Sequence, residues 1–589
     1  MVGTGGARDL APVPPRHSSA GTGVVALSPE AHARDLASLG RDTFDVLVVG
    51  GGIVGAGAAL DAVTRGLKVA IVEAQDWASG TSSRSSKLVH GGLRYLQMYD
   101  FALVREALRE RAVLLRTAPH LVRPVPIIYP LRHRVIERAY VTAGIFLYDM
   151  MARTAREGPR LPSHRQLSKR KVLELAPSLD HRRFIGAVQY YDGQVDDARH
   201  TLAVVRTAAS HGAVAVSRAR VTGLLQEKGR VTGAKLVSAE SGAEMQATAK
   251  VVVSTTGVWT EQFEALAGRT SALRVQPSKG VHIVVPKDRI QASTALILPT
   301  EKSVLFVLPW GEHWIIGTTD TTWDHDLARP AATAADINYL LSTVNTALAT
   351  PLARSDIESV YVGLRPLIAG AGEETTKLSR EHAVNRAMPG LVLISGGKYT
   401  TYRVMAKDVI DAAVDHARLL AGPCSTASEP IAGAEGFSEI GGRTQALATE
   451  SGLAPAQVER LLSRYGALVT EVLAEAADDA SLLQPLPGAG GYIGAEVAYA
   501  VTHEDARHLE DVMERRTRIS IETTDRGTGA APEVARIMAP LLGWDQGAVG
   551  SEVEAYRDLV AAELSAESEP DDASALERLA RAQPLLPLP

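Results

Sequence analysis

Cysteine is nearly missing from this sequence: the 589 residues hold one, Cys424. A single thiol excludes an intramolecular disulfide, a redox-active cysteine pair and a cysteine-rich metal cluster, and it fits a reducing compartment. Aromatic residues are sparse at 5%, and there is no apolar run of about 18 residues, so no membrane-spanning helix is expected. The stretch nearest to one, 139–152 (AYVTAGIFLYDMMA), is too short and contains Asp149. Charge of one sign is also missing: a net charge of −5 gives no support to nucleic-acid binding, which favours a basic surface. Residues 1–27 have no apolar segment of the secretory type and are rich in Gly, Ala, Pro and Ser, the composition of a flexible tail. No metal site is expected.

What remains is ordinary for a globular chain, 46% hydrophobic and 22% charged, long enough for roughly three or four domain-sized units. Ser28-Pro29-Glu30 reads as a helix start, with the helix ending near Gly40. An apolar strand at 44–49, a small-residue helix at 53–65 and a second strand at 68–72 make a βαβ opening, hence a parallel sheet. The spacing predicts an amphipathic helix over 100–118 and short strands at 281–285, 304–308 and 313–317 that suit an antiparallel sheet in a second domain. The strand-like runs 251–254 and 391–395 each lead into glycine and are placed back in the first sheet.

The fold class expected is α/β: a Rossmann-type first domain, an antiparallel-sheet second domain and a C-terminal all-helical cap. Residues 1–42 are read as a flexible extension with a short helix. The Rossmann-type domain takes about 43–115, 190–260 and 355–424, interleaved with the antiparallel-sheet domain of about 116–189 and 261–354. The helical domain follows at 425–565, with a loop at 485–491, and a frayed tail at 566–589.

The case for a dinucleotide rests on Gly50-Gly51-Gly52-Ile53-Val54-Gly55, a GxGxxG between strand and helix. Gly50 allows the tight turn, Gly52 admits a pyrophosphate against the backbone, and Gly55 lets helix and strand pack closely. The helix N-terminus offers free N–H groups to phosphate. Glu73 ends the second strand, where a carboxylate accepts hydrogen bonds from ribose hydroxyls. No second GxGxxG follows, so a flavin is favoured as the only dinucleotide. Thr255-Thr256-Gly257 and Ser395-Gly396-Gly397-Lys398 are further contact candidates. The second opens a helix whose dipole suits the anionic reduced flavin.

Residues 79–97 (SGTSSRSSKLVHGGLRYLQ), 195–199 (VDDAR), 279–286 (KGVHIVVP), 316–320 (IGTTD), 363–367 (GLRPL) and 396–403 (GGKYTTYR) together resemble the FAD-dependent, quinone-linked glycerol-3-phosphate dehydrogenases, within the D-amino-acid-oxidase-like and glutathione-reductase-type flavoproteins. A segment of the C-terminal region, HEDARHLEDVMERRTR, is similar too. The resemblance implies oxidation of sn-glycerol 3-phosphate to dihydroxyacetone phosphate by hydride transfer to FAD, with a membrane quinone reoxidising the flavin. It implies that Arg94, Tyr95 and Lys398 hold the phosphate and that Arg365 sits near the C2 hydroxyl. It leaves His282 and His90 as candidates for the base, with His282 favoured. It puts Gly50, Gly51, Gly52, Ile53, Gly55, Glu73, Ser82, Ser83, Ser86, Lys87, Leu88, Val221, Thr256, Gly257, Gly397, Lys398, Thr400 and Thr401 around the cofactor. Two departures stand out: Thr255, where alanine is common, and Tyr399, where a smaller aliphatic residue is common.

The implied localisation is cytoplasmic and peripheral on the inner face of the plasma membrane. Arg132, His133, Arg134 and Arg138 beside the apolar run suit an anionic lipid surface, and equally suit a basic loop leading into a buried helix. The helical C-terminal domain is read as able to support a homodimer. Three rivals remain: an oxidase passing electrons to oxygen to give hydrogen peroxide, a related amine or amino-acid oxidase, and a non-catalytic flavin-binding protein.

Overall fold

The computed structural model describes residues 23–588 apart from 97–98, 134–135, 156, 269–273, 301–303 and 369–380; the side chains of Arg94 and Ile136 also lie outside the description. Two large sheets dominate. The first runs in the order His382–Met388, Leu391–Gly396, Glu244–Ser254, Thr43–Val49, Val69–Val72, Val214–Val216. Its inner pairings are parallel, with Thr43–Val49 between Glu244–Ser254 and Val69–Val72. The central strands are buried on both faces, which is why they read as continuous apolar runs. The small-residue helix Ile53–Thr64 and the helices Asp197–Ser210 and Tyr402–Ala417 share one core with Leu461, Val469 and Tyr499 of the C-terminal region.

The second sheet contains Val275–Pro286, His313–Gly317, Val304–Trp310, Ala295–Pro299, Val122–Leu131 and Gly186–Val195 in that order. These strands pair antiparallel, except that Ala295–Pro299 lies parallel to Val122–Leu131. Two segments assigned by sequence to the cofactor domain, and the second half of a third, belong to this sheet. Ser359–Ile368 pairs over its whole length with Val275–Pro286, Gly186–Val195 pairs with Val122–Leu131, and Leu88–Val89 pairs with Gly186–Val195. Backbone pairing, invisible in a local hydrophobic pattern, decides their place.

Both ends of the described chain depart from the expected tails. Leu27 is buried and exchanges backbone hydrogen bonds with His503 and Asp505, and the Ser28-capped helix Pro29–Arg41 follows directly. At the other end, helix Asp572–Leu579 buries Ala575 and Leu579 in a cluster with Leu559, Ala562 and Ala331. Its composition reads as frayed because the helix is short; tertiary packing holds it. The expected loop at 485–491 is a small hairpin, Pro485–Leu486 with Ala489–Ile493.

The helix meets the strand end most closely at Gly55. A Cβ there would collide with the Gly50 carbonyl and stand 2.6 Å from Thr255 Oγ1. Neither can retreat, because Thr255 Oγ1 donates to the Val49 carbonyl at 2.9 Å and Gly50 N donates to Val72 O at 2.9 Å. The replacement Gly55→Val is therefore expected to force the helix off the sheet, lower stability by about 1–3 kcal/mol and abolish cofactor retention. Urea unfolding with a flavin fluorescence assay checks it; wild-type retention in the variant would contradict the packing described.

Candidate functional site

Between the two sheets lies a cavity of about 500 Å³, within the usual size of cofactor and ligand sites. One end is the glycine turn. Gly50 has φ +109°, a left-handed value that favours glycine, and Gly52 caps helix Ile53–Thr64 with no side-chain cap, so the first helical turn opens on the cavity through Gly52, Ile53 and Val54. Ser82 Oγ accepts from Ile53 N at 2.9 Å and steadies that turn. Glu73 also lines the cavity. Its carboxylate accepts from Gly51 N at 2.5 Å and from Gln75 N at 2.9 Å, and burial raises its pKa from the ordinary range. Ser86, Leu88, Val221, Thr256, Gly257, Gly397, Lys398 and Thr400 complete the predicted residues on this surface.

Other predicted contacts act one step away. Gly51 and Gly55 serve packing: a Cβ at Gly51 would stand 2.6 Å from Trp77 and 2.8 Å from Glu73 Cβ. Thr401 is buried, with its hydroxyl on Lys398 O at 3.4 Å. Ser83 and Lys87 are corrections, for neither lines the cavity. Lys87 Nζ turns away to Asp197 Oδ1 at 2.6 Å and to the Ser83 carbonyl at 2.5 Å. Burial, then the repulsion of Arg518, presses its pKa down to about 8 against the pull of Asp197. A buried ammonium needs such a partner, and Asp197 supplies it.

The other end carries the polar groups expected to meet a substrate. His282, His90, Arg365 and Lys398 all line the cavity. His282 is 3% exposed, stacks on Tyr361 with ring centroids 4.6 Å apart, and shares a 2.8 Å hydrogen bond with Ser86 Oγ through Nε2. Its Nδ1 is buried with no hydrogen-bond partner among the described residues. Burial, then the charges of Arg365 and Lys87, hold its pKa well below the usual imidazole value. His90 differs: Nδ1 accepts from Gly92 N at 3.1 Å, so in the neutral ring Nε2 carries the proton and donates. Thr400 Oγ1 accepts from His90 N at 3.1 Å and donates to His90 O at 3.2 Å, clipping this segment to the 396–401 turn.

Arg365 donates to Ser278 Oγ at 3.3 Å, Thr318 Oγ1 at 3.1 Å and the Thr319 carbonyl at 3.2 Å, with Asp320 at 3.5 Å. Lys398 Nζ lies 3.6 Å from the Tyr95 ring centroid, a cation–π contact. Consecutive left-handed glycines, Gly396 (φ +80°) and Gly397 (φ +79°), deliver it there. The predicted phosphate ligand Arg94 sits in the 3-10 turn Leu93–Leu96, and its side chain lies outside the described residues.

Several cavity residues had no role in the sequence reading: Trp259, Phe306 and Arg220 line it, and Tyr361 supports His282. Phe306 sits in a run legible only as strand. Asp197 carried a signal, as part of the 195–199 motif, without a role. The two departures also find their reasons. Thr255 locks the glycine turn through its hydroxyl, and Tyr399 OH donates to the Asp197 carbonyl at 2.9 Å and shares a hydrogen bond with His200 Nδ1 at 3.0 Å.

A left-handed glycine turn at an uncapped helix start, a carboxylate at the end of the adjacent strand and a buried imidazole nitrogen awaiting a partner fit a flavin dinucleotide. Comparison with known proteins gives the same answer. The profile of the family described as FAD dependent oxidoreductase matches residues 45–407, and that described as the C-terminal domain of alpha-glycerophosphate oxidase matches 424–549. Glycerol-3-phosphate dehydrogenase 2 of Mycobacterium tuberculosis is 52% identical over 552 residues, 94% of each chain. The mitochondrial glycerol-3-phosphate dehydrogenase of Homo sapiens is 37% identical over 563 residues, 92% of this chain and 76% of that one. The solved structure of the Bacillus halodurans glycerol-3-phosphate dehydrogenase complexed with FAD superposes with a TM-score of 0.75 at 28% identity, covering 91% of this chain and 98% of that one. The chain therefore belongs to the FAD-dependent oxidoreductases, in the branch of the glycerol-3-phosphate dehydrogenases, and FAD is its cofactor.

Proposed function

We propose that the protein oxidises sn-glycerol 3-phosphate to dihydroxyacetone phosphate and passes the electrons to a membrane quinone. The observation that carries the reading is a single cavity that joins the glycine turn and Glu73 at one end to His90, His282, Arg365 and Lys398 at the other. Gly50, Gly52, Ile53, Glu73, Val221, Thr256 and Gly257 hold the cofactor. FAD bound there supplies a two-electron acceptor for the hydride leaving C2.

The chain's own residues do the rest. Lys398, with Tyr95 beneath its ammonium, neutralises the phosphate dianion, with Arg94 as its proposed partner. Arg365, fixed by Ser278, Thr318 and Thr319, presents its charge to the oxygen that becomes a carbonyl. The hydroxyl proton goes to His282, which burial and the charge of Arg365 keep neutral before substrate binds. His90, whose Nε2 is the donor, orients substrate or flavin by hydrogen bonding and does not act as the base.

An apolar surface supports the quinone reading. Helix Ile136–Thr154 exposes Tyr140 (59%), Phe146 (59%) and Met150 (49%), and Tyr99 (80%) projects beyond the turn it packs on. Exposed Arg132, His133 and Arg138 lie at its edge. On the buried side of the same helix, Tyr148 accepts from Gly91 N at 2.8 Å, which ties the helix to the residue beside His90. Apolar side chains ringed by cations suit the headgroup region of an anionic bilayer. No helix among the described residues is long and apolar enough to cross a membrane.

Anaerobic mixing of FAD-loaded protein with sn-glycerol 3-phosphate is expected to bleach the flavin band promptly, with faster recovery on adding a quinone analogue than on adding oxygen. No bleaching would refute the substrate, and faster recovery with oxygen would favour the oxidase. In the same assay His282→Gln is expected to retain FAD and slow bleaching by about 10²–10⁴-fold; a wild-type rate would remove His282 as the base. Flotation with anionic vesicles tests the surface: Phe146→Glu with Met150→Glu is expected to lose vesicle binding while keeping soluble substrate turnover, and undiminished binding would place the membrane contact elsewhere.

A further inference from the structure

Residues beyond 549 lie past both matched family segments, yet they are tied to the cofactor cavity from both lobes. Lys279 of the second sheet is 2% exposed, and its ammonium is paired with Asp336 at 2.7 Å and with Asp572 at the start of helix Asp572–Leu579. One turn on, Leu576 packs against the cluster of Val258, Trp323 and Leu364, on which Trp259 also packs. Of these, Val258, Trp259 and Leu364 line the cofactor cavity on their other side. The backbone is held as well, by Ala334 N donating to Glu569 O at 2.9 Å and Arg354 donating to Glu567 O at 2.7 Å.

From this helix the chain crosses to the first lobe. Residues 583–588 roof a small cleft of about 60 Å³ floored by Ala74, Gln75, Ser79 and Arg84, and all four floor residues also line the cofactor cavity. Arg220, itself in the cavity wall, donates to the Leu588 carbonyl at 3.3 Å. Glu73 and Val221 adjoin this region, so it is the nucleoside end of the cavity, where the strand-end carboxylate meets ribose.

We propose that residues 569–588 are a retention strap for the cofactor. The helix backs the cavity wall at Val258 and Leu364, and the tail covers the nucleoside end at Gln75 and Arg220. FAD then enters and leaves when the strap lifts. The ligand class is the adenosine half of a flavin dinucleotide, and the inference rests on the reading of the cavity as an FAD site. Two anchors on different lobes make the strap cooperative: Asp572 on Lys279 at its root and Leu588 on Arg220 at its tip.

The test compares three proteins: the full chain, a chain ending at Ala582, and Asp572→Asn, which keeps the helix and loses its charge on Lys279. FAD release into excess apoflavodoxin-type scavenger is followed by fluorescence, with backbone hydrogen exchange over 569–588 measured with and without FAD. The shortened chain is expected to release FAD about tenfold faster or more, Asp572→Asn to fall between the two, and exchange over the strap to slow when FAD binds. Equal release rates in all three proteins, or strap exchange indifferent to FAD, would overturn the strap. If the shortened chain does not fold, the point substitution and the exchange data decide. Failure of the full chain itself to bind FAD would instead overturn the cofactor reading.

Discussion

The carboxylate of Asp197 is the contact on which the site depends. It is fully buried and receives Lys87 Nζ at 2.6 Å, Arg518 at 2.6 Å and Ser85 N at 2.9 Å, while its carbonyl accepts from Tyr399 OH. Through those four bonds one residue ties together the 79–90 segment, the C-terminal helical region, and the glycine turn that delivers Lys398. Asp196 beside it takes Arg518 at 2.5 Å and caps helix Asp197–Ser210 through Arg199 N. Removing a partner from a buried charge cluster leaves an uncompensated ion, so each member constrains the others.

The same seam explains how the C-terminal region is held. Arg515 and Arg516 meet Asp76 on the loop after the second strand of the first sheet, and Arg199 meets Glu504 at 2.6 Å. These arginines belong to the HEDARHLEDVMERRTR stretch or reach into it from the first lobe. Fixed guanidinium–carboxylate geometry gives the docking a unique register that apolar packing alone does not impose. A rigid seam behind the 79–90 segment sets Ser86 and His90 on its cavity side.

Much of this was legible in the sequence, and the physical reason differs between parts. The glycine turn and Glu73 were legible because phosphate binding dictates residue type and spacing within one βαβ unit. His282, Arg365 and Lys398 converge from distant segments, and only the resemblance of several motifs together pointed to them; the cavity they share is a property of the fold. Lys87 was misread because a lysine in a serine-rich loop suits a cofactor equally well until its buried partner Asp197 is seen. Ser359–Ile368 fell within the span read as cofactor domain, and its pairing with Val275–Pro286 is not written in its own sequence. The 572–588 segment was read as frayed since its composition is weak; its order comes from Lys279, Trp323 and Arg220, far away in sequence.

The measurement that tests this account most directly is the replacement Asp197→Asn, with FAD binding and unfolding followed on one protein. The side chain keeps its size and loses the charge that Lys87 and Arg518 need. The account predicts a stability loss of about 3–5 kcal/mol, with FAD affinity falling alongside it as the 79–90 segment loosens. Unfolding and FAD affinity both equal to those of the unaltered protein would contradict it, and the organisation of the cavity would then rest on the glycine turn alone.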